Sequence, residues 1–265
     1  PTIRKHKDTY YLFYIGSTFQ HERSQDKINQ RDPRYQKAWI HKRIGVATAK
    51  HPEGPWKRYD KPLIEPRPGH WDAVNTSNPA PVIHDDGSVT LFYKSSNMFY
   101  PERLQKENKA GLPRFILGIA RADSIFGNYE RIGTHDGMIE VEGKKISLED
   151  PYVWYQNNIY HMLVKNFHDD FGTAQKGAIY IFSRDGLNWS LPSNGPGSYN
   201  LTVDWEEGMT TTQKRLERPQ LFIAKGNPRY LYLATQFSQK GKKIINSNSG
   251  IYNVVFEIKN SRINE

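Results

Sequence analysis

The sequence predicts an all-β chain organised as a β-propeller, and three observations carry that prediction. One short pattern recurs four times, at Pro1, Pro79, Pro151 and Pro219. Each proline opens a short apolar strand, a turn of Gly, Asn or Asp follows, and an aromatic and β-branched strand comes next, which is a hairpin signature. A second, looser hairpin follows each of these. No stretch sustains a 3.6-residue apolar period, so helix is scarce. A unit of four strands that returns every ~70 residues reads as a propeller blade.

The elements follow in order. Pro1-Thr2-Ile3 leads through Asp8-Thr9 to Tyr10–Ile15, and Pro79–Ile83 leads through Asp85-Asp86-Gly87 to Val89–Tyr93. Pro151–Trp154 leads through Gln156-Asn157-Asn158 to Ile159–Val164, and Pro219–Ile223 leads through Lys225-Gly226-Asn227 to Tyr230–Ala234. Proline suits the first position of a strand, where its missing N–H is not required. The second hairpins run Ile44–Ala49 before Gly54-Pro55-Trp56, Ile116–Ala120 before Gly127-Asn128-Tyr129, and Ala178–Phe182 before Gly186–Trp189; Gly250–Phe256 closes the chain. The blades are expected near 1–70, 71–140, 141–200 and 201–265, within one propeller domain. Phe19–Arg43, Asn97–Arg114 and Gly195–Arg215 read as long polar connections, the kind that carry function on a rigid scaffold. The first motif has no strand ahead of it, so an N-terminal blade of roughly 60–90 residues is expected before Pro1.

Composition narrows the partners. The chain has 265 residues, 37% of them hydrophobic, enough for one sizeable core or several small ones. No apolar run approaches the ~20 residues of a membrane span. With no cysteine, disulfides and thiolate metal sites are excluded. The net charge of +9 is scattered over short clusters such as Arg4, Lys5 and Lys7, or Lys240, Lys242 and Lys243. There is no basic helix and no nucleic-acid signature, so neither nucleic acid nor membrane is expected as a partner. Aromatic residues make up 13%, which suits sugar stacking and β structure equally. No nucleophile elbow, P-loop or dinucleotide fingerprint is present.

In a propeller the inner strand of each blade starts near the mouth of the central channel. The residues before the prolines therefore converge: Thr76-Ser77-Asn78, Leu148-Glu149-Asp150 and Leu216-Glu217-Arg218. Three carboxylates and one guanidinium would meet. Like charges raise one carboxyl pKa and a nearby arginine lowers another. Such a split supplies both an acid and a base, the division of labour that glycoside hydrolysis needs.

Asp150-Pro151, Glu217-Arg218-Pro219 and the Gly45–Ala49 strand with Pro52–Trp56 resemble the five-bladed β-propeller glycosidases, the clan of glycoside hydrolase family 43 and its relatives. The resemblance implies a five-bladed fold of which four blades lie in this sequence. It implies Glu217 as general acid and Asp150 as the group that tunes and orients it, with Glu149 in reserve. It also implies inversion at a glycosidic bond of a plant or algal poly- or oligosaccharide, and a periplasmic or secreted location of bacterial type. The general base of that family lies in an early blade, and Asn78 stands where an acid is expected. Either the base belongs to a segment ahead of Pro1, or the chain is catalytically inactive, or Asp72 in His70-Trp71-Asp72 substitutes. Arg218 is a candidate for a substrate carboxylate or sulfate, since its planar fork suits such groups. Asn78 and Asp72 join it as substrate-binding candidates, and Trp71 is one for stacking on a sugar, while Trp154 is expected in the core. Lys94 and Lys165 end equivalent strands and point either into the channel or into solvent. His161 is placed either at a sugar hydroxyl or in a structural role. No cofactor is required; a structural Ca2+ in the channel stays open, and His168-Asp169-Asp170 is one place for a divalent cation. The rival from another class is a non-catalytic carbohydrate-binding propeller. A phosphorylase would need more Arg or His beside the acid, and a protein-interaction propeller would carry its aromatics on the outer rim.

Overall fold

The computed structural model describes residues 1–17, 31–99, 112–133, 136–166, 171, 178–237 and 251–258. The chain falls into two compact units, Pro1–Ser147 and Leu148–Glu265. Each holds two four-stranded antiparallel sheets whose strands are adjacent in chain order, give or take one short strand.

In the first unit one sheet is β1 (Thr2–His6), β2 (Thr9–Gly16), β3 (Arg43–Ala49) and β4 (Lys57–Arg58), with helix α1 (Pro33–Ile40) between β2 and β3. The other is β5 (Ser77–Ile83), β6 (Val89–Ser95), β7 (Ile116–Ala122) and β8 (Glu130–Arg131), and the short β9 (Glu140–Val141) follows. Every residue of β6 is buried. Phe13, Ile44, Val46, Leu91, Tyr93, Ile116 and Trp71 form the core of this unit. Each such side chain contributes about 1.5–3 kcal/mol on leaving water. Gly118 has no room for a side chain, because a Cβ there would meet the Trp71 ring and the Gly137 carbonyl.

Helix α1 lies in a stretch expected to be an irregular connection. Asp32 caps it by accepting from the Arg34 N–H, and Pro33 takes a first-turn position where no N–H is needed. Trp39 then anchors it to the core. An acidic cap followed by proline was the signal, and the charged flanks obscured it.

In the second unit one sheet is β10 (Leu148–Gln156), β11 (Ile159–Asn166), β12 (Ala178–Ser183) and β14 (Gly197–Tyr199), with β13 (Asn188–Trp189) before the last strand. The other is β15 (Thr202–Asp204), β16 (Thr210–Ala224), β17 (Asn227–Phe237) and β18 (Ile251–Glu257). Tyr152, Trp154, Leu163, Val203, Leu216, Leu231, Leu233 and Val254 form one core between the two. Here Gly195–Arg215 is not a plain connection: it contains β14, β15 and the start of β16. The proline strand of this last sheet is second in order, whereas in the other three it is first. The hairpin from Asp204 to Thr210 is polar and threonine-rich. Its strand character comes from pairing with the apolar-backed β16, not from its own pattern.

One backbone device repeats in three sheets. The residues before Pro79, Pro151 and Pro219 sit in the left-handed region, with φ 49° at Asn78, 54° at Asp150 and 58° at Arg218. The strand register shifts at the same places, between Ser77 and Ala80, Glu149 and Tyr152, and Glu217 and Gln220. These prolines thus lie inside their strands, not at the first position. A bulge is the other place where a sheet tolerates a residue without an N–H.

Among the described residues no helix is long and apolar enough to cross a membrane.

Candidate active site

The bulges of the second unit decide which side chains meet. Two residues before the proline, the chain is still paired: Glu149 faces Lys165 on β11, and Glu217 faces Ala234 on β17. The next residue, Asp150 or Arg218, is turned out of the ladder by its left-handed backbone. Glu149 and Glu217 are therefore the equivalent pair, and Asp150 corresponds to Arg218 and Asn78.

Lys165 is the hub. Its ammonium donates to Glu217 Oε1 at 2.5 Å and reaches Glu149 Oε2 at 3.5 Å. Arg215 Nη1 lies 3.6 Å from Glu217 Oε2, and Arg218 Nε lies 4.0 Å from Asp150 Oδ2. Burial works against the charge on Lys165. Glu149, the bond to Glu217 and the charge of Asp150 outweigh it, so its pKa stands above the ordinary lysine value.

Tyr199 closes the cluster, and sequence reasoning missed it. Glu149, Lys165, Ala178 and Tyr199 form one row across the sheet, with only the Ala178 methyl between lysine and tyrosine. The Tyr199 hydroxyl is buried and has no hydrogen-bond partner among the described residues. Burial drives its pKa up, and the charges of Asp150 and Glu217 push the same way, so it stays a neutral donor. Arg215 was missed too, because it read as the end of a connection.

Three residues expected as substrate contacts are enclosed by the protein's own groups. Asp72 is fully buried in the first unit, where Arg67, Arg131 and the Tyr93 hydroxyl bind its carboxylate. No face is left for a sugar or a water. Trp71 is core: it packs on Tyr93 at 5.5 Å and donates its N–H to the Asp136 carbonyl. His161 is buried between Trp154 and Tyr180, with Nδ1 2.6 Å from the Tyr180 hydroxyl. Trp154 itself is core, as its place in the strand suggests. Lys94 is buried opposite Ser77, its ammonium 4.6 Å above the Phe115 ring, so it is not a solvated surface lysine. Asn78 lies in the left-handed region at the bulge before Pro79 in the first unit. His168-Asp169-Asp170 lies outside the described residues, and among the described residues no group of His, Asp or Glu has the arrangement to hold a metal ion.

No family model and no curated protein sequence matches the chain. Solved structures do. A family 117 glycoside hydrolase from the marine bacterium Zobellia galactanivorans superposes with a TM-score of 0.52 at 17% identity, over 96% of this chain and 58% of that one. An endo-1,5-alpha-L-arabinanase from Thermotoga petrophila RKU-1 gives 0.54 at 15% identity, over 96% and 56%. A thermostable family-43 glycoside hydrolase gives 0.52 at 14%, over 88% and 64%. The chain has the fold of the propeller glycosidases. It holds four four-stranded antiparallel sheets and spans less than two thirds of the length of each of these enzymes. At such identities the likeness concerns the fold, and the propeller's chemistry must be argued from the cluster round Lys165.

Replacing Lys165 with Met is expected to destabilise the second unit by about 2 kcal/mol, because three carboxylates lose their shared buried cation. The raised pKa gives the effect a pH signature. A group whose pKa is higher folded than unfolded stabilises fully below its unfolded value, near ~10.4 for lysine, and loses that stabilisation as pH rises through the folded value. Urea unfolding of the parent and of Lys165→Met should therefore differ at neutral pH and converge only as pH rises past the ordinary lysine value. Equal stabilities at neutral pH would show that Lys165 is not the counter-ion of the cluster.

Proposed function

We propose that the protein is a glycoside hydrolase acting on a plant or algal poly- or oligosaccharide, outside the cytoplasm. The observation that carries the reading is the gathering of Glu149, Asp150 and Glu217 round one buried ammonium and one neutral phenol. Glycosidic cleavage asks for paired carboxyl groups in this kind of setting. In this reading Glu217 gives its proton to the leaving oxygen. As the proton departs, negative charge grows on a carboxyl group that already touches Lys165, so the ammonium stabilises the transition state more than the ground state. While Glu217 is protonated, Glu149 and Asp150 keep Lys165 neutralised. Asp150 orients the acid and tunes it, and the Tyr199 hydroxyl is available to a sugar hydroxyl or a water.

A second carboxylate must activate the water. The equivalent position in the first unit holds Asn78, whose amide cannot accept a proton. That observation favours one rival, a propeller that binds carbohydrate without cleaving it. The two readings part on one experiment: the full-length protein is incubated with a panel of plant and algal oligosaccharides, and both reducing-end release and binding are followed. Release of new reducing ends supports the hydrolase; saturable binding without release from any bound glycan refutes it and leaves the rival.

A further inference from the structure

We propose that the site takes an anionic sugar, one that carries a uronate carboxylate or a sulfate ester, and that Arg218 reads that charge. The inference rests on the reading above only for the ligand being a sugar.

The backbone gives the first reason. Asn78, Asp150 and Arg218 share the same left-handed position before a proline. After glycine, Asn and Asp adopt that region most readily, because their short polar side chains bond locally. Arginine has no such excuse, and the following proline ring adds crowding. Lys7, Glu142 and Lys225 also lie in that region, but in turns; inside a strand and just before a proline, Arg218 is the one of the three described residues there that is neither Asn nor Asp.

The layering of charge gives the second. The side chains of Asp150, Glu217 and Glu149 are 4%, 16% and 19% exposed, and Lys165 is 7% exposed. Those of Arg218 and Arg215 are 60% and 46% exposed. The carboxylates face inward on the ammonium, and what the cluster turns to solvent is a pair of guanidinium groups. A buried anionic layer under an exposed cationic one attracts an anionic ring and orients its charged group outward from the acids.

The way Arg218 touches Asp150 gives the third. An arginine that grips a carboxylate with its fork does so at short range: Arg34 meets Asp32 with Nε at 3.0 Å and Nη2 at 2.7 Å. Arg218 approaches Asp150 only through Nε, at 4.0 Å, and makes no other ion pair among the described residues. The outer edge of the guanidinium stays open. That edge presents two parallel N–H groups, the spacing that matches a carboxylate or a sulfate.

The test is a binding titration on full-length protein carrying Glu217→Gln, so that ligand is not consumed. Three probes of matched length are compared: oligogalacturonate, a sulfated galacto-oligosaccharide, and its neutral counterpart. At least one anionic probe should bind about 10-fold or more tightly than the neutral one, and Arg218→Gln should remove that preference while Arg218→Lys keeps part of it. The preference should also shrink as salt rises. Which anionic arm responds separates uronate from sulfate. Equal binding of neutral and anionic probes, failure of both anionic probes, or a preference that survives Arg218→Gln overturns the proposal. Because Arg218 is exposed, a thermal melt of Arg218→Gln should match that of its parent, which keeps a folding defect from posing as lost recognition. Anionic binding that depends on Arg218, in a parent protein that never cleaves that ligand, sustains this inference and sinks the hydrolase reading. Cleavage of the neutral glycan with both anionic probes ignored does the reverse.

Discussion

Glu217→Gln is expected to lower turnover of a natural glycoside by about 10²–10⁴, the range that a positioned general acid supplies. The substitution keeps the shape of the side chain and leaves an amide oxygen to accept from Lys165, so the cluster should hold together and sugar binding should persist. The diagnostic lies in the leaving group. A glycoside whose leaving group is already acidic needs no proton, so an aryl glycoside with a strongly electron-withdrawing ring should lose far less than an alkyl glycoside. Asp150→Asn should follow the same pattern at smaller magnitude, sparing the activated aryl glycoside, because a group that orients and tunes the acid acts only through it. If both substrates fall equally with Glu217→Gln, Glu217 is not the proton donor. If neither falls, the carboxylate does not take part in cleavage.

Much of this site was legible in the sequence because it is written in local signals. The prolines mark where each proline-led hairpin begins, so the residues just before them could be expected to gather. Glu149, Asp150 and Glu217 could be named for that reason. That the prolines sit at bulges inside the strands was not legible. Lys165 was legible as the end of the partner strand, but its role depends on register: moving it by one position would send it to the other face of the sheet. Tyr199 was not legible. It reaches the cluster across two intervening strands, and nothing in Gly197-Ser198-Tyr199 announces a strand. Arg215 hid in a threonine-rich stretch whose β structure comes from its partners. In the first unit the misplaced residues failed for the converse reason. Trp71 and Asp72 sit in a loop and look available, yet the groups that bury them come from β6, β8 and the turn at Asp136, far along the chain.

Asp72→Ala is expected to destabilise the first unit by about 3–5 kcal/mol, the cost of leaving buried charge without its partner. The carboxylate is fully buried. Its Oδ1 accepts from Arg67 Nε at 3.0 Å, and its Oδ2 accepts from Arg131 Nη2 at 2.8 Å and from the Tyr93 hydroxyl at 2.8 Å. Without it, two guanidinium groups face each other and a buried phenol loses its acceptor. Burial is already the main force holding the Tyr93 pKa far above the ordinary value, so the phenol cannot ionise to compensate. Arg67 keeps Asp136, which it binds through both terminal nitrogens, but the Asp136 side chain is 41% exposed and its Oδ2 also meets His70 Nδ1 at 2.7 Å. Asp136→Ala should accordingly cost no more than about 1 kcal/mol, as an exposed pair does. The two variants, compared by thermal melting with tryptophan fluorescence as probe, read the difference directly, because Trp71 stacks on Tyr93 beside the network. The same pair of variants decides what Asp72 is for. A large loss of stability from Asp72→Ala, with Asp136→Ala near the parent, fits a buried counter-ion that orders the loop before β5. An unchanged melt accompanied by lost turnover would instead return Asp72 to the role of a base that faces substrate. Two guanidinium groups and a hydroxyl on one fully enclosed carboxylate leave that role no lone pair directed at solvent.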